Sequence, residues 1–407
     1  MQATHRIVVV GAGYAGLMAA NRIAAERGVD VAITLINPRA DFVERIRLHQ
    51  LAAGTATATI PLEHLVDRAV EVRIDAVDLI GEHDVLLSSG ARLGYDHLVY
   101  AVGSHGSARP KDAYGVADLE SAQGLRRRLV ALPAGAPVTV VGGGLTGIET
   151  SAEIAEAFPE LRVTLAARTI GAGLPTGGRA KVVQRLERLG VELRLGAGVA
   201  TTDGECTVWA SGFDVPDLAQ RSGLAVDESG RLLTDETLTS TSNPRIVGVG
   251  DAVAPPPAVG SHLRMSCQAA LPLGAHGADT VLARLRGVDP TPLSLGFAGQ
   301  AVSLGRRSAV VAPSRSDDSP RGAVFSGRPA ALLKEMVCRT TVLAPKRFRA
   351  PTVGCPVRLL YPIDERRRVR YECHHRVYLC VPRKYEESRR RDRRGARRPS
   401  GHPGPHR

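Results

Sequence analysis

Ile7-Val8-Val9-Val10-Gly11-Ala12-Gly13-Tyr14-Ala15-Gly16 decides the fold. A β-branched apolar run enters three glycines spaced G-x-G-x-x-G, and a helical pattern follows. The first glycine makes a tight strand-to-helix turn. The second lets backbone approach a pyrophosphate, and the third lets the helix pack close to the strand. The helix N-terminus then offers free N–H groups and partial positive charge to the phosphates. One such motif is weak, because other α/β proteins carry glycine-rich loops. Here it recurs as Val138-Thr139-Val140-Val141-Gly142-Gly143-Gly144-Leu145-Thr146-Gly147, and Ile246-Val247-Gly248-Val249-Gly250-Asp251 completes the set. Two fingerprints, each behind a strand and opening a helix, imply two dinucleotides in one chain, with electrons moving between them.

Working outward, Arg6–Val10, Ala15–Glu26 and Val31–Ile36 read as strand, helix, strand. Val70–Leu79 and Val85–Ser88 read as short strands with a turn at Gly81–Asp84. Leu98–Val102 is apolar and ends at Gly103. Residues 110–230 repeat the plan: strand 138–141, helix 146–157, strand 162–166, helix 179–189, strand 191–195. Strand 246–249 returns to the first unit, and Gln268–Arg286 reads as a helix. The expected class is α/β, with two Rossmann-like dinucleotide-binding domains, the second inserted in the first, and a smaller C-terminal segment. Residues 1–109 and 231–295 form the first domain and 110–230 the second. Residues 296–340 form an interface segment with strand-like stretches at Ala301–Leu304 and Ala309–Val311. Residues 341–407 are a basic tail, disordered or atypical.

A chain of 407 residues suggests two or three domains, and 43% hydrophobic content supports a sizeable core. No apolar run approaches the ~18 residues of a membrane span. The N-terminus runs straight into the first strand, so no signal peptide is expected. Six cysteines are too few for a disulfide scaffold at this length and fit a reducing cytoplasm. The net charge of +12 is unevenly placed: residues 339–407 hold 20 Lys and Arg against 6 Asp and Glu. The body is close to neutral and gives no electrostatic reason to bind nucleic acid.

The ribose-binding acid of the first fingerprint is expected ~20 residues past its last glycine. Asn37 stands at that strand end. Its amide can bond hydroxyls without charge assistance, and it equally suits a turn before Pro38. Asp251, at a strand end beside Gly250, suits a polyol such as ribitol, or an N-cap. Glu149 reads as lying on the first turn of the helix after Gly147. The helix dipole favours a carboxylate there, and the turn would place it by a nicotinamide ribose. The acidic position of the second fingerprint falls near Ala167, with Arg168 next. Loss of the acid with a gained arginine is the pattern that accommodates a 2′-phosphate; a solvated surface arginine is the alternative.

The chain resembles the two-dinucleotide flavoprotein family of pyridine-nucleotide oxidoreductases. It is closest to the branch without a redox disulfide, which holds type II NADH dehydrogenases and proteins like ferroptosis suppressor and apoptosis-inducing factor. The resemblance covers about residues 5–340. It is carried by Gly11–Gly16, Tyr95-Asp96-His97-Leu98-Val99-Tyr100-Ala101-Val102-Gly103-Ser104, Gly142–Glu153, Trp209-Ala210-Ser211-Gly212-Phe213 and Gly248–Ala252. It implies FAD in the first unit and NADH or NADPH in the second. It also implies a hydride passed to flavin N5 and electrons passed to a small acceptor, a quinone among the candidates. The residues it marks for FAD are Gly11, Gly13, Ala15, Gly16, Asn37, Arg47, Val77, Gly103, Gly250 and Asp251. Those for the nicotinamide nucleotide are Gly142, Gly144, Gly147, Arg168 and Gly212. Glu149, Gln268 and His49 are the catalytic candidates.

Departures from the family pattern sharpen the expectation. The disulfide reductases carry a cysteine pair shortly after the first strand-helix-strand unit. Residues 42–54 hold none, which excludes a dithiol relay there. The resemblance brings this segment close to the flavin, and Arg47 and His49 with it; a structural His is the alternative. Type II NADH dehydrogenases resemble A-Q-x-A-x-Q beside the flavin. Here Gln268 matches the first glutamine and Pro272 replaces the second. Cys267 reads as a buried small residue. The membrane branch of the family ends in amphipathic helices. Lys334–Leu343 begins like one, and Pro345, Pro351, Pro356 and Pro362 are expected to break it. Cys373-His374-His375 and Cys380 lack the paired spacing of a zinc site. The tail reads as a disordered basic arm, a surface for anionic lipid, or sequence foreign to the fold. A cytoplasmic protein is expected, with homodimerisation and a peripheral contact on the inner membrane face left open. The alternative to an enzyme is a nucleotide-dependent redox-sensing protein with little turnover.

Overall fold

The computed structural model describes residues 4–26, 28–196 and 205–347. Two five-stranded parallel sheets organise it. In the first, the strands run in the order Ile246–Gly248, His97–Tyr100, His5–Val10, Val31–Asn37, Val70–Ile74. In the second the order is Ala113–Gly115, Cys206–Trp209, Pro137–Val141, Arg162–Ala167, Glu192–Leu195. Each fingerprint strand is central. Its own helix carries the chain to one side, and a later strand pairs on the other. That is a topological switch point, where the crevice beyond the strand ends takes a ligand.

The β-branched strands are buried on both faces, as parallel strands between helices must be. The first core gathers Leu17, Met18 and Ile23 of the Tyr14–Ala24 helix with Val247, Val249 and Val281. The second gathers Val138, Val140, Ile148 and Leu165 with Val302 and Val310. Helix Cys267–Leu285 crosses helix Tyr14–Ala24 at backbone contact. A Cβ on Gly274 would lie 2.3 Å from the Ala15 carbonyl oxygen. The segments that leave and re-enter the first unit pair with each other, His105–Gly106 against Phe213–Asp214.

Several boundaries differ from the sequence expectation. Val70–Leu79 is two strands. Val70–Ile74 belongs to the parallel sheet, and Val77–Ile80 joins an antiparallel sheet with Asp84–Leu87 and Arg92–Gly94. The corner is made at Asp75, whose N–H donates to Asn37 O and whose carboxylate accepts from Ala76 N–H. Helix Thr176–Arg188 starts earlier than 179. Pro345 does not end the C-terminal helix, which spans Arg328–Arg347. Pro345 sits in its last turn, where the lost N–H removes one bond. Its carbonyl accepts from buried Asn21 at 2.9 Å, and Ala344 packs into the first core. That helix lies against the hairpin sheet Gly299–Ser303, Ala309–Pro313, Phe325–Gly327. No helix among the described residues is long and apolar enough to cross a membrane. Cys373-His374-His375 and Cys380, with Pro351, Pro356 and Pro362, lie outside the described residues.

Candidate active site

The two glycine turns divide their labour identically. Gly11 and Gly142 have φ of +100° and +129°. A Cβ on either would lie 2.5 Å from a carbonyl oxygen, of Ala101 and Ala210 respectively. A Cβ on Gly16 or Gly147 would lie 1.8 Å from Gly11 O or Gly142 O, so both are closed to any side chain. Gly13 and Gly144 face open space, with nothing within 4 Å of a built Cβ. Each is also the N-cap of its helix and gives no side-chain cap. The first turns of both helices therefore keep unpaired N–H groups beside an open glycine, a ready site for phosphate oxygens.

Asn37 braces the first turn. Its Oδ1 accepts from Ala12 N–H at 3.0 Å, and its Nδ2 donates to Arg39 O at 2.7 Å. Half-buried Val77 lies two residues past the Asp75–Asn37 backbone bond. Gly250 has φ +84°, and its Cβ position is 3.1 Å from the Ala15 side chain, so the third signature packs on the first. Asp251 accepts from Ser104 Oγ at 2.7 Å and Ser266 N–H at 3.1 Å, with Arg45 Nη1 at 3.9 Å. Gly103, φ +69°, opens on empty space next to Ser104. A cavity of about 230 Å³ touches Gly250, Asp251, Arg264 and Ala269. Gln268 accepts from Arg264 at 2.6 Å. Gly212, φ +81°, presses on Ser107 in the link between units. The Tyr14 ring meets Phe42 edge-on at 5.0 Å, and its hydroxyl is buried.

A buried charged cluster lies where the second unit meets the C-terminal helix. Because helix Leu145–Ala157 starts at Leu145, Glu149 lies in its second turn, not its first. Its carboxylate accepts from Ser303 N–H at 2.8 Å and Ser303 Oγ at 3.1 Å, and pairs with Lys334 Nζ at 3.2 Å. Lys334 also donates to Ala301 O at 3.0 Å. Burial works against both charges, but the pair outweighs it. Glu149 is held below its ordinary range by Lys334 and by the bonds from Ser303. Lys334 is raised above its ordinary value by Glu149. His49 is buried, its Nε2 lacks a partner among the described residues, and burial pushes its pKa down to about 4. It is a neutral imidazole beside a carboxylate. One turn on, burial raises Glu153, against a bond from Thr55; Arg306 is 3.7 Å from its carboxylate.

Arg47 is engaged within the protein. Its guanidinium donates to Glu44 at 3.1 Å, Gln50 at 3.1 Å and Glu335 at 2.9 Å, which fastens residues 44–50 to the C-terminal helix. Above the cluster a cavity of about 320 Å³ is lined by Gln50, Ser303, Arg306, Lys334, Glu335 and Cys338. The described cysteines, Cys206, Cys267 and Cys338, are free thiols, and burial pushes Cys267 up to about 11. No cluster of metal-ligand type occurs among the described residues. Sequence reasoning missed Lys334, Ser303, Glu153, Arg306, Arg45 and Ser104. Two of these carried a signal: Glu153, one helical turn from Glu149 inside the second motif, and Ser104, the last residue of the Tyr95–Ser104 motif.

A model of the pyridine nucleotide-disulphide oxidoreductase family matches residues 5–274. An NADH dehydrogenase-like protein of Mycobacterium tuberculosis is 30% identical over 388 residues, covering 84% of this chain and 94% of the relative. A type II NADH:quinone oxidoreductase of the same organism is 28% identical, covering 75% and 79%. Among solved structures, the sulfide:quinone oxidoreductase of Aquifex aeolicus superposes with TM-score 0.71 at 15% identity, covering 84% of this chain and 92% of that one. The Plasmodium falciparum NDH2 bound to NADH gives 0.69 at 14% identity, covering 86% and 99%. At these identities the two structures show a shared fold.

Proposed function

The chain belongs to the pyridine nucleotide-disulphide oxidoreductase family, and from that premise we propose that it oxidises a reduced nicotinamide dinucleotide and reduces a quinone-class acceptor, with FAD as resident cofactor. The observation that carries the reading is the pair of open glycines. Gly13 and Gly144 each leave room for a pyrophosphate where the flanking glycines leave none. The relatives named for NADH and for quinone support a nicotinamide nucleotide as donor and a quinone as acceptor.

Gly11, Gly13 and Gly16 would hold the FAD pyrophosphate, with Ala15 allowing the close approach of Gly250 and Asp251. Asn37 and Val77 would meet its adenosine end, and Gly103 and Asp251 the flavin end. When bound, the flavin supplies a ring that takes a hydride from a dihydronicotinamide and returns electrons to an acceptor. Gly142, Gly144 and Gly147 would hold the nicotinamide dinucleotide, with Gly212 positioning the return strand.

A two-electron quinone reduction adds two protons, and the hydride brings one. Lys334 Nζ is placed to give the other. It lines the 320 Å³ cavity, and Glu149 keeps it protonated. Glu149 stays ionised and fixes the ammonium by one strong contact, while Ala301 O fixes it by another. Solvent in the open cavity would return the proton to Nζ. The resemblance puts Gln268, at the start of its helix, on the acceptor side as well. No thiol relay enters this scheme, since residues 42–54 lack cysteine and the described cysteines are unpaired.

Anaerobic titration of the purified protein tests the reading. Bound flavin should be bleached by a reduced nicotinamide nucleotide and recoloured by naphthoquinones. Colourless protein, or flavin that neither nucleotide bleaches, overturns it.

A further inference from the structure

The loop after strand Arg162–Ala167 is bolted to the second glycine turn. A Cβ on Gly143 would lie 1.9 Å from Thr169 O and 2.8 Å from the Ala167 Cβ. Gly171 N–H donates to Gly143 O at 2.7 Å. Arg168 and Thr169 are thereby held at the flank of the turn that faces open space at Gly144. Ala167 is buried, whereas Arg168 is exposed and has no hydrogen bond or ion pair among the described residues. Arg179 packs over the same loop, its Cγ 3.6 Å from the Cβ position of Gly171. Its guanidinium reaches Thr176 at 3.5 Å and has no carboxylate partner among the described residues.

The local sequence is one-sided. Between Glu160 and Glu187 there is no Asp or Glu, while Arg162, Arg168, Arg179, Lys181 and Arg185 all fall there. Arg185 is engaged by Glu156; Arg168 is not. In a cradle of this topology the adenosine ribose lies beyond the end of the second strand. A carboxylate there accepts from a ribose 2′-hydroxyl and repels a 2′-phosphate, whereas an arginine does the reverse. The planar guanidinium is matched to phosphate oxygens and binds them through charge-assisted pairs. The first unit differs at the equivalent strand end. Asn37 is bonded into the turn, and nearby Arg39 is paired with Glu120.

We propose that the second cradle selects the phosphorylated dinucleotide, NADPH over NADH, with Arg168 binding the 2′-phosphate and Arg179 reinforcing its charge. The proposal rests on the reading that this cradle holds a nicotinamide dinucleotide. Calorimetry on the flavin-loaded protein with adenosine 2′,5′-bisphosphate and with 5′-AMP isolates the phosphate. The bisphosphate should bind at least about tenfold tighter, a preference that falls with added salt. Arg168→Gln should erase most of it and raise the KM for NADPH about tenfold relative to that for NADH. Arg168→Glu should turn the preference toward NADH. Equal binding of the two probes, or a preference that Arg168→Gln leaves intact, overturns the assignment. So does an equal rise in both KM values, which would put Arg168 on a shared part of the nucleotide. In each case flavin bleaching by NADH would still stand. Failure of both nucleotides to bleach the flavin would instead remove the parent reading.

Discussion

Lys334 Nζ lies 3.2 Å from Glu149 Oε1, both largely out of water. The contact joins the C-terminal helix to the helix of the second glycine turn. Each charge alone would be costly to bury; together, and with Ser303 on the carboxylate, they are stable as ions. The nucleotide unit and the wall of the larger cavity are thus one electrostatic object.

Lys334→Met should leave Glu149 buried and unpaired. Stability should fall by about 3 kcal/mol or more, and the Glu149 pKa should rise. Adding Glu149→Gln should restore most of the stability without restoring quinone turnover. Thermal denaturation and steady-state rates on the single and double variants check this. A double variant with restored turnover would show that the pair is structural alone.

The glycine contacts predict opposite outcomes for alike substitutions. Gly16→Ala drives a Cβ into Gly11 O and should prevent folding. Gly13→Ala meets nothing in the protein, so the chain should fold, yet the methyl would fill the space of a pyrophosphate. It should purify as a soluble protein with little flavin absorbance. Gly144→Ala should keep its flavin and lose affinity for the nicotinamide nucleotide. Flavin content per chain and the nucleotide KM separate the three.

His49 should make stability depend on acid. Its folded pKa, about 4, lies below its ordinary 6.5, so the unfolded chain binds the proton more tightly. The contribution is whole above pH ~6.5 and is lost as pH falls toward ~4, about 3 kcal/mol in all. His97, also to about 4, and His276 are shifted the same way by burial, so the protein as a whole shows a steeper slope. His49→Asn removes one of these contributions. Urea midpoints at pH 7, 6, 5 and 4 should flatten in that variant. A slope unchanged by the substitution would mean that His49 is solvated.

The parts legible in the sequence were those whose causes are local. A glycine turn is fixed by φ and by contacts with the next strand, so Gly11–Gly16 and Gly142–Gly147 announced both sheets. The position of Asp251 was legible because its strand end and glycine travel with it. Lys334 and Ser303 were not. Ser303 meets Glu149 across 154 residues, and nothing near either one states the partnership. The Arg47 pairing was hidden for the same reason: Glu335, 288 residues away, engages the guanidinium that the resemblance had turned toward the flavin. Pro345 misled because a proline in a last helical turn costs one bond, and Asn21 satisfies the carbonyl beside it.

Pro272 supplies a test of where the acceptor sits. Inside helix Cys267–Leu285 it offers no N–H, so the Gln268 carbonyl lacks its donor one turn on. A proline in a helix interior costs about 3 kcal/mol against alanine, less near the first turns where strain is absorbed. Pro272 is half-buried, between buried Leu271 and Leu273, and Gln fits without entering the core. Pro272→Gln would return the N–H to the helix and add an amide one turn from Gln268. The melting temperature should rise, and quinone turnover should rise relative to ferricyanide reduction, which needs no shaped site. A stabilised variant whose two rates keep their ratio would move the acceptor away from this helix and leave the Lys334 cavity as its place.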